Sequence, residues 1–372
     1  MGKQIIIIIA VLLLSGVACP PVTAGETVLA ESPAAEASNH NHPGGSLKTI
    51  TDSSGRKIVF HKPINRIIPL SVNSFEVMRS LKATDRVVGV SVHIANDSFY
   101  YPGFQNLPNI GDRFSINYEM LLVCRPDLII ASTTTRPSEL DDKLAGTGIN
   151  IVRFDFNSLE TYEKEVANFA YLLDKTDEAE VFLKFYHTKM EAVKDLIGRI
   201  PVNERPKVFL EADFGGGQNY ATCGTGHAYH KLLDAAGGLN IFSHISFYSG
   251  VSPEAVMEEN PRIIIKYRYP AGHIDRKKED VDDLKAIRDE ILSRIELVNV
   301  DAVRNKQVYV FDWFSTRGAA QYFLCLPQLA KWLYPDKFKD LNPRADYEEY
   351  LKKFQGLYID LNVYGVFFYP EL

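Results

Sequence analysis

Glu119-Met-Leu-Leu-Val-Cys-Arg-Pro126-Asp-Leu-Ile-Ile and Glu254-Ala-Val-Met-Glu-Glu-Asn-Pro261-Arg-Ile-Ile-Ile are one pattern written twice, about 135 residues apart. Each copy has a Glu opening a helical stretch, a Pro seven residues later, and a short β-branched run that predicts a buried strand. The proline ends the helix and is expected to push the residue before it toward extended geometry. A helix–Pro–strand unit in each half predicts two similar α/β lobes, and the cleft between two lobes is a place for a ligand.

The flanking sequence supports that division. Arg66-Ile-Ile-Pro-Leu-Ser, Asp85-Arg-Val-Val-Gly-Val-Ser and Gly148-Ile-Asn-Ile-Val-Arg-Phe predict strands in the first half. Lys207-Val-Phe-Leu-Glu-Ala and Val308-Tyr-Val-Phe predict strands in the second. Alternation with helical segments implies a largely parallel sheet covered on both faces. Between the halves, Ala179, Phe182, Leu183, Tyr186, Met190, Val193 and Ile197 recur at three- and four-residue steps. They predict a helix of roughly 24 residues, about 36 Å long, with Thr176 or Asp177 as its N-cap. A helix of that length can tie two lobes together. The resulting division is 47–158 for the N-terminal lobe, 159–205 for a helical connector and 206–372 for the C-terminal lobe with terminal helices.

The N-terminus predicts export. Lys3 precedes an apolar run from Ile5 to Leu14, too short for the ~20 residues of a membrane span. Two cleavage sites compete. Ala18-Cys19 resembles a lipoprotein site (signal 1–18) that would lipidate Cys19, with Gly16 where Leu is usual; Val22-Thr23-Ala24 resembles an ordinary one (signal 1–24). The stretch through residue 46 is rich in Ala, Ser, Pro, Gly, Asn and His and predicts a flexible tether, with His40 and His42 as solvated linker residues.

The whole chain of 372 residues is 46% hydrophobic with a net charge of −6, or −7 once Lys3 leaves with the signal. That acidity argues against nucleic acid as a partner. Beyond Cys19 only Cys124, Cys223 and Cys325 remain, which argues against a disulfide framework. The sequence has no Gly-x-Ser-x-Gly elbow, no HExxH and no Gly-x-Gly-x-x-Gly after a strand; Gly215-Gly-Gly-Gln lacks the Lys-Ser/Thr of a phosphate loop. A binding protein is therefore favoured over an enzyme acting on a chelate or tetrapyrrole.

Several segments carry a resemblance. Leu107-Pro-Asn-Ile-Gly-Asp, followed by Glu119 through Arg125-Pro-Asp-Leu-Ile-Ile-Ala, resembles the first-lobe signature of the iron/cobalamin periplasmic-binding family. Asp85-Arg-Val-Val-Gly-Val-Ser, Leu233-Asp-Ala-Ala-Gly-Gly-Leu-Asn-Ile, Val303-Arg-Asn-Lys-Gln-Val-Tyr-Val-Phe-Asp and Pro327-Gln-Leu-Ala-Lys-Trp-Leu-Tyr-Pro are similar to further family segments, over about residues 66–340. The resemblance implies an α/β fold of two Rossmann-like lobes joined by one long backbone helix, of the class III periplasmic-binding-protein type. It also implies an extracytoplasmic, monomeric receptor that hands its solute to an ABC permease dimer with its ATPase, and touches the membrane only through a lipid anchor, if present. It implies no intrinsic cofactor; the cargo would be an iron or cobalt chelate, as ferric siderophore, haem or corrinoid. Glu76 in Val72-Asn-Ser-Phe-Glu-Val-Met and Glu254 in Val251-Ser-Pro-Glu-Ala-Val-Met match the glutamates with which this family docks on permease arginines. Glu119 is read as a helix-opening acid only.

Cleft residues are expected on loops at strand ends. Lobe one offers Tyr100, Tyr101, Asp112, Arg113 and Arg136. Lobe two offers Tyr220, Phe247, Tyr248, Tyr267, Arg268, Tyr269, Asp312, Trp313 and Arg317. Aromatic faces and guanidinium groups suit a bulky oxygen-bearing chelate better than a bare ion. Asp312-Trp-Phe resembles a loop of cobalamin binders, with the Arg one place later at Arg317. His227 and His230 share a helix face and are weak candidates for metal contact, with a structural role favoured. A bare-metal receptor would need about three His plus a carboxylate, and His93, His227, His230, His244 and His273 show no ligand spacing.

Overall fold

The computed structural model describes residues 47–213, 220–268, 281–312, 319–364 and 367–371. Cys19, His40, His42, Gly215 to Gly217, Tyr269, His273, Trp313 and Arg317 lie outside them. A hairpin, β1 (Lys48–Thr51) and β2 (Lys57–Phe60), precedes the first lobe. That lobe is built on the parallel order β3 (Ile67–Pro69), β4 (Leu128–Ala131) and β5 (Asn150–Arg153). Its helices are α1 (Val72–Ser80), the four-residue α2 (Val92–Ala95), α3 (Tyr118–Val123) and α4 (Pro137–Leu144).

α5 (Tyr162–Leu173) and α6 (Thr176–Ile197) follow, and then the second sheet. Its strands are β6 (Lys207–Asp213), β7 (Ala221–Cys223), β8 (Leu239–Asn240), β9 (Tyr248–Gly250), β10 (Ile263–Arg268), β11 (Val308–Asp312) and β12 (Phe368–Tyr369). Their order is β12-β11-β10-β6-β7-β9, with β8 beside β6. Helices α7 (Ala228–Ala235), α8 (Pro253–Glu259), α9 (Val281–Ser293) and α10 (Asp301–Arg304) alternate with them. The tail adds α11 (Tyr322–Leu333), α12 (Pro343–Tyr350), a π-helical turn at Leu351–Gln355 and α13 (Leu361–Tyr364). No helix among the described residues is long and apolar enough to cross a membrane.

The doubled unit leads into a strand with neighbours on both sides in each lobe, β4 and β10. β4 is buried along its whole length and β10 nearly so, which explains the unbroken apolar runs. The caps match as well: Asn117 accepts from the Met120 N–H and Ser252 from the Ala255 N–H. One expectation fails identically in both copies. The residue before each proline is left-handed rather than extended, Arg125 at φ 46° and Asn260 at φ 43°. A left-handed residue stops a helix and also avoids the αR region that the next proline disfavours.

The connecting helix α6 is 22 residues long. Ala179, Phe182, Tyr186, Met190, Val193 and Ile197 are buried with Phe185, while Leu183 is only partly so. Its N-cap is Lys175, because left-handed Asp174 has already closed α5. One apolar core runs from α1 and β4 through α5, α6 and α11 to β10 and the C-terminal helices. Satellite cores lie under the outer face of each sheet.

Two strand readings change. Asp85–Ser91 begins in a 3-10 turn, Thr84–Arg86, and then makes only single bridges, Ile67 to Val87 and Val90 to Asn109. Gly89 sits between them, where a Cβ would lie 2.9 Å from the Ile110 side chain. The second sheet is also mixed, since β7, β9 and β12 pair antiparallel.

Candidate functional site

In lobe one the strand ends present polar loops. After β4, Ser132, Thr134 and Thr135 hydrogen-bond one another, and Thr133 donates through N–H and hydroxyl to Asp155. Buried Arg153 donates to the carbonyls of Ser132 and Thr135, which fixes the loop from below. Arg136 is left-handed at φ 30° and pairs with Glu139, whose carboxylate raises the guanidinium pKa. In the Gly111–Ser115 turn, Asp112 accepts from the N–H groups of Phe114 and Ser115. Gly111 has φ 84°, and a Cβ there would lie 2.0 Å from the Ser115 carbonyl oxygen. The turn holds Arg113 and Phe114 exposed, with the guanidinium 4.6 Å from the ring centroid.

Lobe two presents an aromatic ladder. Phe247, 61% exposed, lies 5.1 Å from the His227 ring; His227 is 4.9 Å from Tyr229 and Tyr229 4.0 Å from Tyr267. Phe311 closes the base at 5.1 Å from Tyr267. Phe247 holds φ 63°, a conformation costly for a bulky residue, and such strain persists where surrounding structure imposes it. Tyr248 beside it is half-buried. At the ends of β10 and β11, Arg268 stands 3.6 Å from both Asp283 and Asp312.

The lobes meet beside this ladder. Lys231 of α7 pairs with Glu160 at 2.9 Å, and the Tyr322 hydroxyl donates to the Asn157 carbonyl. The Ser158 hydroxyl, and then Lys231, hold the Glu160 carboxyl down at about 2.

His227 and His230 both carry structural hydrogen bonds. Nδ1 of His227 accepts from the Tyr229 N–H at the start of α7, and Nδ1 of His230 meets the Asn240 amide. No group of three or more His, Cys, Asp or Glu suited to a metal occurs among the described residues. Burial, and then His230, lower the His227 pKa from 6.5 to about 4. With the folded pKa depressed, the unfolded chain binds more protons between those two values, so stability rises with pH across that window. Imidazole NMR should show His227 neutral at pH 5.5; a midpoint above 6 would contradict this burial.

Other candidates move out of the cleft surface. Tyr101 and Tyr267 have no exposed surface, and Tyr100 and Asp312 are 3% and 2% exposed. Tyr100 and Tyr101 pack around Arg79, whose guanidinium carbon is 5.6 and 5.1 Å from their rings. Tyr220 is buried under Arg294 and donates to Glu296 at 2.6 Å. These groups support walls and do not offer faces to a ligand. Trp313 and Arg317 are outside the described residues, so Phe247, Tyr248, Asp112, Arg113, Arg136 and Arg268 remain as exposed or half-exposed candidates.

The docking reading of Glu76 is overturned. Glu76 is fully buried, accepting from Tyr101, Gln321 and Tyr350, and a carboxylate with no surface cannot meet a cation on another protein. Glu254 is exposed; its own backbone N–H and the Ser252 hydroxyl lower its carboxyl pKa. Glu119 occupies the same place in the other copy, two residues after its cap, and is also exposed. Three residues on, Leu122 and Met257 are 44% and 39% exposed, so each glutamate has an apolar neighbour on its face.

A family profile described as periplasmic binding protein matches residues 67–313. The molybdate-binding protein MolA of Haemophilus influenzae is 24% identical over 339 residues, covering 82% of this chain and 90% of that protein. A vitamin B12-binding protein of Vibrio cholerae is 26% identical over 258 residues, covering 68% and 83%. Among solved structures, the TroA-like periplasmic binding protein FepB of Veillonella parvula superposes with a TM-score of 0.71 at 24% identity, covering 84% of this chain and 97% of that one.

Proposed function

This chain belongs to the periplasmic binding protein family and is a solute-binding component of an ABC importer, and on that premise we propose that its solute is a metal chelate with a large organic surface. The observation that carries the choice is Phe247, exposed in a strained left-handed conformation at the head of the His227–Tyr229–Tyr267 ladder. A flat aromatic face gives a corrinoid, haem or siderophore dispersion contact that a small oxyanion cannot use. Arg113, Arg136 and Arg268 would pair with the peripheral carboxylate, phosphate or catecholate oxygens of such a ligand. The relative named for vitamin B12 is consistent with this class.

Delivery follows from the repeat. Glu119 and Glu254 would each meet a cation of a two-fold permease, with Leu122 and Met257 adding apolar contact beside them. Glu119 thereby takes the part that the resemblance gave to Glu76. Export through the leader, with or without lipidation at Cys19, would place the receptor on the permease side of the membrane. Replacing Phe247 by Ala is the test of the aromatic platform. In absorbance titrations with haem, cobalamin and a ferric catecholate, affinity for the cognate chelate should fall about tenfold, the worth of one aromatic contact of roughly 1.5 kcal/mol. Unchanged affinity would remove the platform from the site.

A further inference from the structure

A cavity lies at the C-terminal end of the chain, among residues beyond the family match at 67–313. It has a volume of about 110 Å³ and sits between α11, the start of α12, α13 and β12. Leu324, Gln328 and Lys331, at i, i+4 and i+7 on one face of α11, form one wall; Arg344, Leu361 and Phe368 form the others. At about 30 Å³ per water, that is room for three or four waters, the size of a small organic acid.

The wall is rich in donors. Gln328 is 4% exposed, and its Nε2 finds no acceptor among the described residues. Lys331 is 8% exposed; its Nζ donates to the Leu341 carbonyl at 3.1 Å, and no carboxylate reaches it within ion-pair distance among the described residues. A buried cation without a counter-charge is costly unless something meets it. The amino end of α12, capped by Asn342, adds the positive end of its dipole. Arg344 is already held by Glu371 at 3.5 Å and by Leu361 and Asn362.

We propose that this cavity binds a small monocarboxylate, with its oxygens on Lys331 Nζ and Gln328 Nε2 and its apolar part against Leu324, Leu361 and Phe368. Charge favours the monoanion: among the described lining residues two cations, Lys331 and Arg344, face one carboxylate, Glu371, so one further negative charge balances them and a second, as on the phosphate dianion, overshoots. The apolar wall likewise favours an acid with a hydrocarbon part. The site is separate from the inter-lobe cleft and independent of which chelate binds there.

Ligand-observed NMR and calorimetry on the full chain test this with benzoate, butyrate and inorganic phosphate as probes. One of the two acids should bind once per chain with a Kd below about 5 mM, and phosphate about tenfold or more weakly. Gln328→Leu and Lys331→Met should each weaken the acid about tenfold, the worth of one hydrogen bond to a charged group. Gln328→Leu removes an unsatisfied buried donor, so it should fold at least as well as the parent. Chelate affinity should stay within about twofold in both variants, which separates this site from the cleft. Absence of binding by both acids at about 20 mM, phosphate binding as tightly, or acid binding that survives both substitutions would overturn the proposal.

Discussion

A chain carrying Glu119→Ala together with Glu254→Ala should lose about 100-fold in transport while keeping chelate affinity within about twofold. A charge-assisted contact is worth roughly 1.5–3 kcal/mol, so two of them at one docking face amount to about two powers of ten. Each single variant should lose about tenfold, and the parent's transport should weaken as salt is raised, because both carboxylates are exposed. Glu76→Gln is the control. Its partners are buried hydrogen-bond donors from lobe one and from the C-terminal segment, so the substitution should lower stability and leave docking intact. Transport that falls only in proportion to ligand affinity would move the glutamates from the dock to the binding site.

Arg294→Met should destabilise the fold by about 3–5 kcal/mol, read as a lower denaturant midpoint. Glu211 is fully buried on β6, and Arg294 reaches it with two nitrogens at 2.9 and 3.1 Å. Lys266 of β10 adds a third contact at 3.1 Å, and the Tyr220 N–H a fourth at 3.2 Å. Removing the guanidinium takes two of four hydrogen bonds from a buried carboxylate and leaves it only Lys266 and the Tyr220 N–H, and that lost pairing is the source of the cost. Replacing Glu211, Lys266 and Arg294 together by apolar residues of similar volume should restore most of the loss. The cluster also reaches the proposed docking face: Tyr220, stacked under Arg294, holds Glu296, and the turn containing Glu296 packs against α8, which bears Glu254. A destabilisation under about 1 kcal/mol would show that this cluster is solvated and does not brace the docking face.

The two-lobed fold was legible because its central strands, β4 and β10, are unbroken apolar runs introduced by the same helix–cap–proline grammar. Short antiparallel strands were not: β7, β9 and β12 have two or three residues each, too few for alternation to appear. Glu76 misled for a nonlocal reason. Its helix buries Phe75, Val77 and Met78 as well, because Gln321, Tyr350 and Gln355, about 245–279 residues later, close over it. Nothing within Val72–Ser80 announces that cover. The equivalent, exposed placement of Glu119 and Glu254 was legible from the repeat, since both stand two residues after a helix cap. The aromatics divided by register: Phe247 stayed outside, while Tyr101 and Tyr267, equally plausible as residue types, turned into the core.

On the proposed function, the cleft holds an organic metal chelate and returns it intact. One titration addresses it directly: the protein against haem, cobalamin, a ferric catecholate and molybdate, followed by absorbance and calorimetry, with the ligand recovered and checked afterwards. A chelate receptor should bind one equivalent of one of the three chelates per chain, return it unchanged, and bind no molybdate. Tight binding of molybdate with none of the chelates, or chemical conversion of the bound chelate, would contradict it.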